Sequence, residues 1–157
     1  VFASVFRGSG ENHLAEGYPK GMEPTTLAYM AGLIDGEGSV SLDKNYNSSD
    51  PDLYRIPSLT VASTTPAIVD FCKSHFGGSI STKKVYQDHH KPSFVWALRH
   101  QQAVALLIEL LPFMLEPEKI RRADLLIRFQ AERPRNGKYS AECLQSLREL
   151  VEEFRLQ

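Results

Sequence analysis

Apolar positions along this chain switch between a helical spacing and an alternating one, and each switch marks an element. The spacing predicts a helix over roughly 25–36, capped by Thr25 or Thr26 after Pro24 and stopped by Gly38. In "SVSLDKNYN", Val40 and Leu42 alternate with Ser39, Ser41, Asp43 and Asn45, the pattern of a strand with one wet face. "NSSDPD" reads as a turn. In "YRIPSLTVAS", Leu59 and Val61 point inward and Ser58 and Thr60 outward, with Pro57 marking an edge or a bulge. A second helix, "TPAIVDFCKSHFGG", is capped by Thr64 or Thr65 and ended by Gly77 and Gly78. Two more strands follow, "SISTKKVY" and "SFVWALRH", joined by "QDHHKP"; Phe94, Trp96 and Leu98 share one face. A third helix, "QQAVALLIELLPFM", stops near Pro112, and a fourth runs from about Pro117 to Glu132. After the basic loop "RPRNGK", a last amphipathic helix starts from a Ser140 cap.

Strands in hairpins between helices predict an α+β (mixed α/β) fold with a largely antiparallel sheet. Helices cover one face; the other is rich in Ser, Thr, Asn and Lys. Residues 1–23 read as an irregular arm, and 24–157 as a single domain ending in a helix over about 140–156.

Net charge is −1 over 157 residues, but it is unevenly spread. Residues 79–100 carry Lys83, Lys84, Lys91 and Arg99 against Asp88, and residues 115–138 also carry an excess of +3, while residues 25–78 sum to −3. Such segregation suits phosphate binding even when the total is near zero, and equally suits an uneven solvated surface. No apolar run approaches the roughly 20 residues of a bilayer span, so no membrane partner is expected. Cys72 and Cys143 have no pairing spacing and read as reduced thiols in an intracellular, reducing compartment. His89 and His90 lack a third ligand spaced for a metal.

The stretch "LAYMAGLIDGEGSV", residues 27–40, ends an apolar helix in a knot of acids and glycines. Asp35 and Glu37 sit where free carbonyls already carry partial negative charge, so something positive must accompany them. Ala28, Gly32 and Gly36 recur every four residues and form one nearly side-chain-free strip. The strip is either a packing groove against the chain's own sheet or a seam against a second copy across a two-fold axis. In the second case Glu37 and the Gly36 carbonyl of both copies converge, an oxygen-donor set for a hard divalent cation.

This stretch resembles the motif of the LAGLIDADG homing endonucleases: "AGLIDG" at 31–36, then Glu37 and Gly38, with Met30, Gly36 and Glu37 as mild departures. The element order over about 24–130 is also similar, and the chain has no second motif. The resemblance implies a homing-endonuclease-like α-β-β-α-β-β-α fold with a curved antiparallel DNA-binding sheet and additional C-terminal helices. It implies a homodimer joined along Ala28, Gly32 and Gly36. It implies an intron-encoded, site-specific enzyme that binds a long pseudo-palindromic double-stranded DNA and hydrolyses one phosphodiester in each strand, leaving a short 3′ overhang. Glu37 and the Gly36 carbonyl correspond to the Mg²⁺ ligands, with Mn²⁺ or Ca²⁺ able to substitute in binding, and Asp35 to a more structural acid. Lys119 resembles the basic residue near the scissile phosphate; a solvated lysine on a charged helix is the alternative. Ser63, Thr64 and Thr65 are candidates for ordering water, in place of a more usual Gln.

Base and phosphate contacts fall to the outward strand faces: Ser41, Asp43, Asn45 and Asn47 on the first strand, then Arg55, Ser81, Lys83, Lys91 and Arg99. Asp43 suits a cytosine amine. Three rival readings share these features. An intron RNA maturase would use Arg121, Arg122, Arg133, Arg135 and Lys138. A DNA-binding regulator would keep the fold without the reaction, and a structural homodimer would bind no nucleic acid.

Overall fold

A computed structural model of the protein describes residues 21–83 and 91–156. Lys84, His89, His90, the "QDHHKP" loop up to His90, the end of the third predicted strand and most of the 1–23 arm lie outside the described residues.

The first helix, α1, spans Pro24–Glu37 and places Pro24 in its first turn, where the missing N–H costs nothing. Neither Thr25 nor Thr26 caps it; Glu23 occupies that position without a side-chain bond. Leu27, Met30, Ala31 and Ile34 are buried, whereas Thr25, Ala28, Tyr29, Gly32 and Gly36 on the opposite face are exposed. Gly38 ends the helix, but not by adopting the left-handed region: its φ is −85°, extended backbone. Glycine is needed there because a Cβ would stand 2.6 Å from the Ile34 Cα. The chain therefore passes without a loop from α1 into β1, Gly38–Asp43.

Strand β2 (Ile56–Ser63) pairs antiparallel with β1 from Gly38↔Val61 to Asp43↔Ile56. Helix α2 (Pro66–Phe76) follows, with Thr65 at its start but making no side-chain cap bond. Gly77 and Gly78, at φ +74° and +81°, reverse the chain into β3 (Ser79–Lys83). A Cβ on Gly78 would lie 2.4 Å from the Ala97 carbonyl oxygen. Strand β4 (Ser93–Arg99) inserts between β2 and β3, giving the sheet order β1-β2-β4-β3, all neighbours antiparallel. β2 is thus central, but Pro57 lies on a locally open side of it, because the β2–β4 ladder begins one residue later, at Ser58↔Arg99.

Val40, Leu42, Leu59, Val61, Trp96 and Leu98 lie on one sheet face and join the helices in a single core. The buried Trp96 indole donates to the Gly77 carbonyl at 2.7 Å, so its polar atom is satisfied. The register stacks the other face in rows: Ser39, Thr60, Ala97 and Ser79; then Ser41, Ser58 and Arg99; then Ala62, Val95 and Ser81. Ser58 does belong to this polar face, yet it is fully buried rather than exposed, and its hydroxyl has no partner among the described residues.

Helix α3 runs His100–Leu110 and stops near Pro112, which lies within a 3-10 turn at Leu111–Phe113. Helix α4 spans Pro117–Glu132, and α5 spans Ala141–Arg155 with the Ser140 hydroxyl accepting from the Cys143 N–H. Leu147, Leu150 and Val151 of α5 enter the common core, so this helix is an integral layer and not an appendage. Among the described residues no helix is long and apolar enough to cross a membrane. Both cysteines are free; burial raises the Cys72 thiol to about 11, and Cys143 donates to the Glu132 carbonyl.

Glu118 ties α4 to α5. It accepts from Arg121 at 2.7 and 2.8 Å and from Arg122 at 2.9 Å, and Arg121 also donates to the Glu153 and Leu156 carbonyls at the end of α5. These bonds, Arg121's first, hold the Glu118 carboxyl at about 2, below its ordinary 4.5. A carboxyl lowered by folding stabilises the folded state above its unfolded pKa and loses that contribution as pH falls towards the folded value. Acid titration followed by circular dichroism should therefore show a loss of stability between pH 4.5 and about 2, part of which Glu118→Gln removes.

Candidate active site

The last turn of α1 and the first turn of α4 meet end to end. Lys119 Nζ donates to the Ile34 carbonyl at 2.8 Å and to the Asp35 carbonyl at 2.6 Å. In return Asp35 accepts from the Leu115 N–H at 2.8 Å and the Glu116 N–H at 3.3 Å. Glu116 then caps α4, accepting from the N–H groups of Glu118 and Lys119 at 3.3 and 2.7 Å. The negative end of one helix dipole thus receives an ammonium group, while Asp35 sits at the positive start of the other. Lys119 is partly buried and bonded, not a solvated surface lysine.

Glu37, two residues beyond Asp35, is exposed, and its carboxylate has no partner among the described residues. Gly36 is exposed beside it. Gly32 and Gly36 would accept a Cβ with nothing within 4 Å, and Ala28 is exposed in line with them. The glycine strip is therefore not a groove against the chain's own sheet; that alternative is excluded.

Among the described residues no three His, Cys, Asp or Glu side chains converge. One chain offers a carboxylate at Glu37 and a backbone carbonyl at Gly36. This sparse, hard-oxygen set fits Mg²⁺, which retains waters and takes one or two carboxylates together with phosphates, rather than a closed protein cage. The Gly38↔Val61 pairing brings the end of β2, with Ser63, Thr64 and Thr65, to the same edge of the sheet as the end of α1. Ser63 Oγ accepts from the Thr65 N–H at 3.0 Å and keeps its own O–H to donate; Thr64 and Thr65 are exposed.

On the polar sheet face, Ser41 donates to Asp43 at 2.8 Å, and Ser81, Lys83 and Arg99 are exposed, as is Lys91 just before β4. Three expected positions need correction. Asn45 and Asn47 do not lie on β1, which ends at Asp43; Asn45 instead builds a turn, its side-chain oxygen accepting from the Asn47 N–H at 3.2 Å. Arg55 is buried, and its guanidinium is taken up by Asp52 and the Leu42 carbonyl rather than presented on the sheet surface. The basic set assigned to RNA also divides. Arg121 and Arg122 are engaged by Glu118, and Arg122 lies over the Phe154 ring at 5.2 Å.

Two groups of residues were missed from sequence. Ser39, Thr60 and Ser79 form a polar row nearest the end of α1, legible only once the strand register is known. Glu116 had a visible signal, an acid directly before Pro117 at a helix start.

No family model and no curated relative matches the chain. Solved structures do share its fold. The homing endonuclease I-CvuI, in complex with its target in the presence of calcium, is 20% identical with a TM-score of 0.65, covering 84% of this chain and 81% of that one. The group I intron-encoded homing endonuclease I-CeuI, complexed with DNA, is 15% identical with a TM-score of 0.61, covering 86% of this chain and 68% of that one. The LAGLIDADG homing endonuclease I-GzeII, in complex with a DNA target, is 18% identical with a TM-score of 0.59, covering 82% of this chain but 43% of that one. The chain has the homing-endonuclease fold.

The two motif acids should separate cleanly in stability. Asp35→Ala removes two bonds to backbone N–H groups that water can partly replace and should cost about 1 kcal/mol in urea unfolding, whereas Glu37→Gln should stay within about 0.5 kcal/mol of wild type.

Proposed function

We propose that this protein is a homing endonuclease of the LAGLIDADG family, acting as a homodimer that cuts both strands of a pseudo-palindromic double-stranded DNA. The observation that carries the reading is the bare face of α1 with an exposed, unpartnered Glu37 at its end. A helix face left uncovered by the described residues calls for a partner, and a two-fold axis along the strip brings two such acids together. The fold likeness to DNA-bound homing endonucleases supports the choice of ligand. The 43% coverage of I-GzeII supports dimerisation, since a second copy of this chain would supply the counterpart of the remaining length.

Glu37 and the Gly36 carbonyl would hold a divalent cation, for which Mg²⁺ is the chemical match; I-CvuI structures are described in the presence of both Ca and Mg. When bound, it supplies charge neutralisation at the phosphate and an acidified water. The chain's own residues do the positioning. Lys119 uses two of its three donors on the Ile34 and Asp35 carbonyls and keeps the third for a phosphate oxygen. Asp35 fixes the start of α4, and so fixes Lys119 relative to Glu37. Ser63, Thr64 and Thr65 present hydroxyls at the same edge to order the attacking water.

Beyond this centre, the polar face reads the duplex. Lys83, Lys91 and Arg99 suit phosphates or guanine edges, and Asp43, oriented by Ser41, suits a cytosine amine. The maturase reading loses two of its five basic residues to Glu118, and a regulator without chemistry leaves the exposed Glu37 without a purpose. A reducing, intracellular setting is part of the same proposal.

The test uses a randomised duplex library with and without Mg²⁺, followed by sequencing of cut ends. Glu37→Gln should lower cleavage of the recovered site at least about a hundredfold while retaining duplex affinity, because it removes a negative charge beside phosphates. A mutant that cuts at the wild-type rate would overturn the assignment.

A further inference from the structure

The C-terminal helix makes one contact that its packing does not require. Arg155, in the last turn of α5, donates to Asp52 Oδ1 at 2.9 Å, across 103 positions of sequence. The same oxygen is within 3.0 Å of Lys44 Nζ and 2.9 Å of Arg55 Nη2. Asp52 lies in the connection between β1 and β2, which departs from the polar face at Asp43. Its base is anchored: Leu53 is buried, Arg55 bonds the Leu42 carbonyl, and the Tyr54 ring packs edge-on to Tyr139 at 5.1 Å. Its tip is not, and Tyr46 there is 80% exposed. Arg121, itself held by Glu118, donates to the carbonyls ending α5 and so fixes where Arg155 stands. The first turn of α4 therefore supports both the end of α1, through Lys119, and the β1–β2 connection, through α5.

We propose that Arg155 is a positioning residue for DNA specificity, bracing the 44–55 connection so that its tip meets the outer part of each half-site. This rests on the DNA reading above. β1 starts at the end of α1 and runs for six residues away from it, so the connection lies about 20 Å out, or about six base pairs along a duplex. Nothing in the end of α5 needs an arginine for the core, since Leu147, Leu150 and Val151 already dock the helix.

The experiment compares wild type, Arg155→Ala and Arg155→Lys as full chains. Enrichment from a randomised duplex library is scored position by position, and amide exchange is followed over residues 44–55 without DNA. Arg155→Ala should reduce discrimination by up to about fivefold at the outermost positions alone, leave the central positions and saturated cleavage rate unchanged, and speed exchange at the connection. Arg155→Lys should restore most of both. Unchanged exchange, or a loss spread evenly over the site, would overturn the brace. Failure of wild type to enrich any sequence would instead overturn the DNA reading, while the exchange comparison still decides whether Arg155 holds the connection.

Discussion

Two helix ends of opposite polarity hold each other, and the placement of everything else near the site follows from that. The carbonyls of Ile34 and Asp35 end α1 and take the Lys119 ammonium; the N–H groups of Leu115 and Glu116 precede α4 and take the Asp35 carboxylate. Hydrogen bonds to charged groups are worth roughly 1.5–3 kcal/mol each, less where water reaches them. The sum is modest against folding as a whole but decisive for geometry. Residues 80 or more positions apart are brought to one point. The clasp accounts for Asp35 at an otherwise unfavourable helix end, and it leaves Glu37 as the acid with nothing among the described residues to answer it.

The same helix explains why a second copy is required by the proposed reading. Leu27, Met30 and Ile34 are buried, each worth roughly 1.5–3 kcal/mol against exposure. That face alone suffices to dock α1 on the sheet. The opposite face gains nothing from Gly32 and Gly36 within one chain, where each glycine costs about 1 kcal/mol of helix stability relative to alanine. On the proposed reading, close approach of another backbone is the physical return on that cost. Gly38 differs: its lack of a side chain is required internally, by the approach to Ile34.

Much of this was legible in the sequence because it depends on local chemistry. Pro117 opened a helix where expected, Gly77 and Gly78 turned the chain, and Ser140 capped α5, each acting through neighbouring residues. The strip, its acids and the strand alternation are periodicities that survive without a structure. What escaped was set by register or by distant partners. Arg55 looked like a surface base contact because Asp52 and the Leu42 carbonyl cannot be seen converging on it in one dimension. Ser58 has the right parity for an exposed face yet is covered. Lys119 was recognisable by resemblance, but its two bonds to α1 emerged only from the fold.

The central claim is that the bare strip of α1 is a seam between two copies. Light-scattering mass of wild type and of Gly32→Leu, each with and without recovered duplex, tests it directly. A Cβ at that position meets nothing within 4 Å among the described residues, so the variant should fold. The account predicts a wild-type protein mass of twice 17.7 kDa on the duplex, and 17.7 kDa for Gly32→Leu. A wild type that binds and cuts as a single 17.7 kDa chain would contradict it.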